Sequence, residues 1–262
     1  TRTEFSAWCK TVHLLDGATG SMLRRAGMPA GVCSETWILD HPQTLIALQR
    51  AYLAAGSEII YAPTFGANRV LLSHHDLQKD VAALNRDLVQ LSREAVGTGA
   101  LLAGDMTTTG RAVTPGDDSA YAALLDIYRE QAEALLHAGI DLFAVETMMG
   151  VTECMAAVEA IRSLCDAPIL CTLSVYSDGK CYFDGSAEEA AEVFHRLTRQ
   201  SDAYAIIYVT ETYAEALHAQ IEKYASSVTP AVILIPGAGG CKGLGMRALN
   251  AAVERAVGSN IL

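Results

Sequence analysis

The chain has 262 residues, 51% of them hydrophobic, and its 19 basic against 30 acidic side chains give a formal net charge of −11. That length suits a single large α/β domain, since barrels of this class run to roughly 250 residues, and the apolar share exceeds that of a disordered chain. The basic residues are scattered singly, which argues against a nucleic-acid partner, and no apolar run approaches the about 20 residues that span a bilayer.

Short β-branched runs recur along the chain, each followed by a longer amphipathic stretch. The strands are expected at 12–16, 58–62, 101–105, 142–146, 169–175, 204–209 and 232–235. Helices are expected between and after them at 42–55, 81–96, 119–137, 151–164, 187–199, 214–225 and 246–256. Repeated βα units of this kind build a parallel sheet buried on both faces. In the helix over 119–137, Leu124, Tyr128, Ala132, Leu135 and Leu136 share one face with Glu130 and Glu133 opposite, and Ala138-Gly139 is a stop signal. The fold class read from this pattern is α/β, a (β/α)8 TIM-type barrel occupying residues 1–262 as one domain, with an eighth strand not identifiable in the chain. An open doubly wound sheet ranks lower, because the first turn, Asp16-Gly17-Ala18-Thr19-Gly20, lacks the spacing of a dinucleotide-binding loop.

Polar residues stand at the C-terminal ends of the expected strands: Asp16, Thr64, Asp105, Glu146 and Ser174. In a parallel barrel those ends meet at one mouth, where ligands bind. Seven cysteines form no CxxC pair, and their odd number suits a reducing compartment. Cys154, Cys165 and Cys171 read as small buried side chains. The N-terminus shows no basic segment ahead of an apolar signal core, so a soluble cytoplasmic protein with no membrane partner is expected. Because the chain opens on Thr1 and stops after Leu262, a trimmed form of a longer protein is also an expectation.

Leu15-Asp16-Gly17-Ala18-Thr19-Gly20 resembles the opening motif of the homocysteine S-methyltransferase family, which includes betaine-homocysteine methyltransferase and the homocysteine module of cobalamin-dependent methionine synthase. The resemblance continues in order through Cys33-Ser34-Glu35-Thr36-Trp37, His41-Pro42, Ala51-Tyr52-Leu53-Ala54-Ala55-Gly56, Thr64-Phe65-Gly66-Ala67-Asn68-Arg69, Asn85-Arg86, Thr109-Gly110, Ala138-Gly139-Ile140-Asp141 and Val145-Glu146-Thr147-Met148. It implies a barrel that moves a methyl group to the sulfur of homocysteine, or of a related thiol or selenol, giving methionine. It also implies a substrate pocket formed by Asp16, Gly17, Thr64, Phe65, Asn68 and Glu146. A zwitterionic amino acid requires carboxylates for its ammonium group, so the two acids fit that chemistry. Each has a structural role open to it as well: Asp16 in capping a turn, Glu146 in capping a helix, Asn68 in holding its own loop.

The partners implied are a small-molecule thiol and a methyl donor such as S-methylmethionine, a betaine or a methylated corrinoid protein. The implied cofactor is zinc, which is held by three cysteine thiolates and lowers the substrate thiol's pKa by binding its sulfur. Gly239-Gly240-Cys241-Lys242-Gly243 keeps one of an adjacent pair of ligands, and Ile207-Tyr208 stand where Asn-Cys is expected. Cys241 alone makes an incomplete metal site. Three routes stay open: segments absent from the chain, thiol activation by another group such as Lys242, or a non-catalytic homologue that binds the amino acid and does not transfer. A different barrel enzyme, a lyase using Glu146 or Asp105 as base, is a further alternative.

Overall fold

Among the described residues, six parallel strands lie side by side in the order in which the chain makes them: β1 (Ile59–Ala62), β2 (Leu101–Thr107), β3 (Leu142–Met148), β4 (Ile169–Leu173), β5 (Ile206–Thr210) and β6 (Ala231–Ile235). The computed structural model describes Trp8, residues 13–190 apart from 115 and 177, and beyond them residues 206–210, 221–222, 231–235, 243–247 and 250. The strand before Gly17 is shorter than expected. Leu15 makes an isolated parallel bridge with Ile59, and the Asp16 N–H donates to the Ile59 carbonyl at 3.0 Å. This sets Asp16 beside the edge of β1.

The helices are α1 (Thr19–Arg25), α2 (Ser34–Asp40), α3 (Pro42–Ala54), α4 (Arg69–Leu72), α5 (Val81–Val96), α6 (Asp118–Ala138) and α7 (Val151–Arg162). Periodicity places the long ones within a residue or two, while α1, α2 and α4 are too short to show it. α3 opens with proline, whose missing N–H has no partner to lose at a first helical position. α6 begins where the Asp117 side chain accepts the Ala120 N–H and ends at Gly139, whose φ of +89° suits only a residue without a Cβ. As its pattern predicts, Leu124, Tyr128, Ala132 and Leu135 are buried and Leu136 packs beside them. The helix expected at 187–199 is seen over 187–190. The rest of it, the helix expected at 214–225 apart from residues 221–222, and most of that expected at 246–256 lie outside the described residues.

Alternation along the strands divides the core in two. Leu102, Met106, Phe143 and Val145 face the helices and join the large apolar cluster. Ile59, Ala103, Leu142, Ala144 and Leu170 fill the other side, with Leu15, Tyr61 and Leu101 packed against them. Asp105 follows Leu101 and Ala103 on this inner face, and Glu146 follows Leu142 and Ala144, so each acid tops an apolar column. Register does the rest, pairing Asp105 with Ala144 and Thr107 with Glu146. Of the cysteines, Cys33, Cys154 and Cys181 are buried, and Cys165 and Cys171 are half-buried.

Candidate functional site

A cavity of about 520 Å³ opens over the C-terminal ends of the strands. Asp16, Gly17, Phe65 and Glu146 line it, together with Asp105, Tyr61 and Ser34. The Asp16 carboxylate is fixed from below by the Tyr61 N–H at 3.0 Å. Gly17 leaves room for Tyr52, since a Cβ there would lie 2.8 Å from the Tyr52 ring. The Tyr52 hydroxyl in turn donates to the Ala18 carbonyl at 2.9 Å and holds the turn against α3. Phe65, 40% exposed, presents an apolar ring at the rim.

The three acids lie close enough to disturb one another. Loss of hydration, with the negative Glu146 nearby, pushes the Asp16 pKa up to about 7. Burial raises Asp105 well above the usual carboxylate range, and the charges of Glu146 and Asp16 add to it. Glu146 is raised by burial too, while a hydrogen bond from Asp105 favours its ionised form. The hydrogen bond between the two favours a proton on Asp105 over one on Glu146. The buried Oδ1 of Asp105 has no hydrogen-bond partner among the described residues. A cationic group entering this cavity would relieve the crowding of negative charge, so the site suits an ammonium ion.

The loop after β1 is fastened on every side. Thr64 is fully buried, its hydroxyl donating to the Asp105 carbonyl at 2.8 Å and accepting the Asp105 N–H at 3.0 Å. The Gln131 amide donates to the Thr64 carbonyl, the Asn85 amide to the Ala67 carbonyl, and the Gly66 N–H to Glu35. Asn68 is buried as well, and its Oδ1 accepts the Val70 and Leu71 N–H groups at the start of α4. Thr64 and Asn68 therefore also fasten the loop beside the cavity, the Asn68 Nδ2 being buried without a partner among the described residues, whereas Phe65 lines the cavity. Glu35 and Asn85, which stand within the matching motifs, hold this loop.

Glu146 is set by its neighbours. The Thr107 hydroxyl donates to the Glu146 carbonyl at 2.8 Å. Thr147 has a φ of +57°, a left-handed conformation costly for a β-branched residue, and its N–H donates to the Thr172 hydroxyl at 2.7 Å. The β3–β4 register shifts at this point, between Val145 and Met148. Sequence reading placed Asp105 among the strand-end acids but outside the pocket set. Its inner-face alternation with Leu101 and Ala103 is the signal that assigns it there.

The described residues form no three-thiolate zinc centre, and the sequence keeps one of the three cysteines that the family resemblance implies. Among the described residues no group of three His, Cys, Asp or Glu side chains is placed to hold a metal ion. Cys33 donates to Glu35, and burial raises its pKa, so it stays a thiol. Cys154 is raised well above its ordinary value by contact with the Cys171 sulfur and by burial. Cys241 and Lys242 lie outside the described residues, and the sequence supplies no adjacent second cysteine there. Among the described residues no helix is long and apolar enough to cross a membrane.

The chain matches the profile of a family described as homocysteine S-methyltransferase over residues 13–255. It is 26% identical over 157 residues to S-methylmethionine–homocysteine S-methyltransferase of Pongo abelii, spanning 60% of this chain and 41% of that protein. A stretch of 75 residues, 29% of the chain, is 43% identical to a V-type ATP synthase subunit of Clostridium botulinum and covers 71% of it. In three dimensions the chain is similar to the homocysteine methyltransferase MmuM of Escherichia coli. The oxidized form superposes with a TM-score of 0.69 at 18% identity, covering 94% of this chain and 88% of that one. The metallated form gives 0.69 at 19% identity over 92% and 88%. At such identity the superposition carries the α/β barrel fold.

Proposed function

Because the chain belongs to the homocysteine S-methyltransferase family, we propose that its cavity takes homocysteine, or a related thiol or selenol amino acid, as the acceptor of a methyl group. The observation that supports this most is the meeting of Asp16, Asp105 and Glu146 over one cavity, with their charge crowded and one carboxyl oxygen unpartnered. The substrate ammonium sits among these acids. Each charge-assisted hydrogen bond contributes about 1.5–3 kcal/mol, and burial strengthens it by keeping water away. Phe65 covers the apolar side chain of the guest. In the transfer itself a new S–C bond forms as the donor's bond to the methyl carbon breaks, the donor leaves with the electron pair, and the thiol proton is lost. S-methylmethionine is a suitable small donor, giving methionine from both partners.

The test is calorimetric titration with L-homocysteine, followed by assay of methionine formed from S-methylmethionine. Saturable binding that Asp16→Asn weakens, together with methionine production, is the expected result. Absence of any binding would end the proposal.

A second reading is favoured by the donor set. With one cysteine where three are implied, the chain binds the amino acid without turning it over, and the stretch similar to an ATP synthase component supports an assembly role for that part. Homocysteine binding without methyl transfer from any donor supports this reading. Stoichiometric binding to a V-type ATP synthase stripped of its own copy of that component would test the assembly role.

A further inference from the structure

We infer that the chain is composite: between residues 149 and 188 a methyltransferase barrel gives way to a stretch related to a component of V-type ATP synthase, and Cys241 belongs to that stretch rather than to a zinc site. The inference uses the methyltransferase reading for the first segment only.

Two lines of descent meet in this chain, and one stretch of residues cannot have come from both. The methyltransferase motifs fill residues 15–148 in unbroken order, leaving no window of 75 residues there for a second ancestry. A window of 75 residues placed after residue 148 begins between 149 and 188 and in every case contains residues 188–223. The methyltransferase pattern fails at both of its landmarks after residue 148, the first of which every such window contains. Ile207-Tyr208 replaces the expected Asn-Cys, and Cys241-Lys242 replaces the paired cysteines. Local identity points the same way, at 43% to the ATP synthase component against 26% to the methyltransferase relative.

Strand pairing changes at the same place. β2 and β3 run in register from Ala103 with Leu142 to Thr107 with Glu146. β5 and β6 do likewise, from Ile206 with Ala231 to Thr210 with Ile235. Between β4 and β5, among the described residues, the register is the single pair Cys171 with Ile207. A stave of one continuous barrel should pair along its length with both neighbours. β5 and β6 instead pair along their length with each other and with β4 at one point, within the one six-stranded sheet, so the seam between β4 and β5 is the weakest between named strands. Parallel strands joined by helices satisfy a barrel's period whatever their origin, which accounts for a family match running to residue 255.

A zinc site worn down by substitution and a segment of other ancestry respond differently to repair. In the first case Tyr208→Cys with Lys242→Cys restores three thiolates at their proper places around Cys241. In the second, the three cysteines lie on a scaffold that never converged on a metal. The full chain, the double variant and Cys241→Ser are each incubated with excess zinc, desalted and analysed for metal, with homocysteine-induced shifts in melting temperature recorded alongside. The expected result is zinc far below one equivalent in all three and an unchanged homocysteine shift in Cys241→Ser. One equivalent of zinc in the double variant, or in the full chain and lost in Cys241→Ser, overturns the inference. The homocysteine shift reports the first segment and shows that each variant is folded. If homocysteine shifts none of them, the substrate proposal fails, while the zinc analysis, with folding read from the melting curve, still decides this inference.

Discussion

A carboxyl group taken out of water beside other acids resists ionisation, and Asp16, its pKa pushed up to about 7, is only part-ionised at neutral pH. An ammonium group binds the ionised form, so its arrival expels the remaining proton. Homocysteine affinity is expected to climb as pH rises through about 7, with net proton release detected by calorimetry in buffers of different ionisation enthalpy. Asp16→Asn removes both the charge and its titration. It should weaken homocysteine about tenfold or more and flatten the pH dependence between about pH 6 and 8, while leaving the melting temperature equal or higher. A variant that binds as tightly as the parent would remove Asp16 from the site. The motif around Asp16 and Glu146 made both acids legible in the sequence. The direction in which Thr64 and Asn68 point was not, because a short polar side chain after a strand serves a loop or a ligand equally well and only its partners decide.

Elements depend on buried polar residues as much as on apolar faces. Glu153 on α7 is 2% exposed and accepts hydrogen bonds from the Thr108 hydroxyl, the Thr109 N–H and hydroxyl, and the Tyr128 hydroxyl. It thus ties the segment after β2 to α6 and α7. Glu153→Ala leaves the Thr108 hydroxyl and the Thr109 N–H and hydroxyl without this acceptor, each costing about 1–3 kcal/mol, while the Tyr128 hydroxyl keeps the Thr107 carbonyl at 3.2 Å. A loss of about 3 kcal/mol or more in urea unfolding is expected, with homocysteine still bound by whatever fraction remains folded. A change within about 0.5 kcal/mol would show that water replaces the carboxylate. Sequence reading saw α7 by its periodicity but passed over Glu153. A glutamate in the first turn of a helix is ordinarily a solvated residue favoured by the helix dipole, and only the packing of α6 against α7 buries this one.

For the whole molecule the three raised acids have one consequence with a definite sign. Asp16 titrates near its ordinary 3.8 when unfolded and near 7 when folded, so between these values the native state holds the extra proton. The Asp16 contribution to stability therefore falls as pH rises from about 4 to about 7 and levels off above, at up to about 1.4 kcal/mol per pH unit for each full proton. Asp105 and Glu146 are shifted in the same direction. Urea midpoints across this range should decline, and Asp16→Asn should reduce the slope; a midpoint that rises with pH would contradict the charge crowding. What the sequence by itself determined is the repeating βα order and the acids at the strand ends, because the periods of strand and helix and the position of a residue within them are local properties. Only the tertiary structure decided that Asp16, Asp105 and Glu146 share one cavity, that Thr64 and Asn68 bond within the loop beside it, and that β5 meets β4 at a single pair. Distance between residues far apart in the chain is set by register and packing, which no single segment contains.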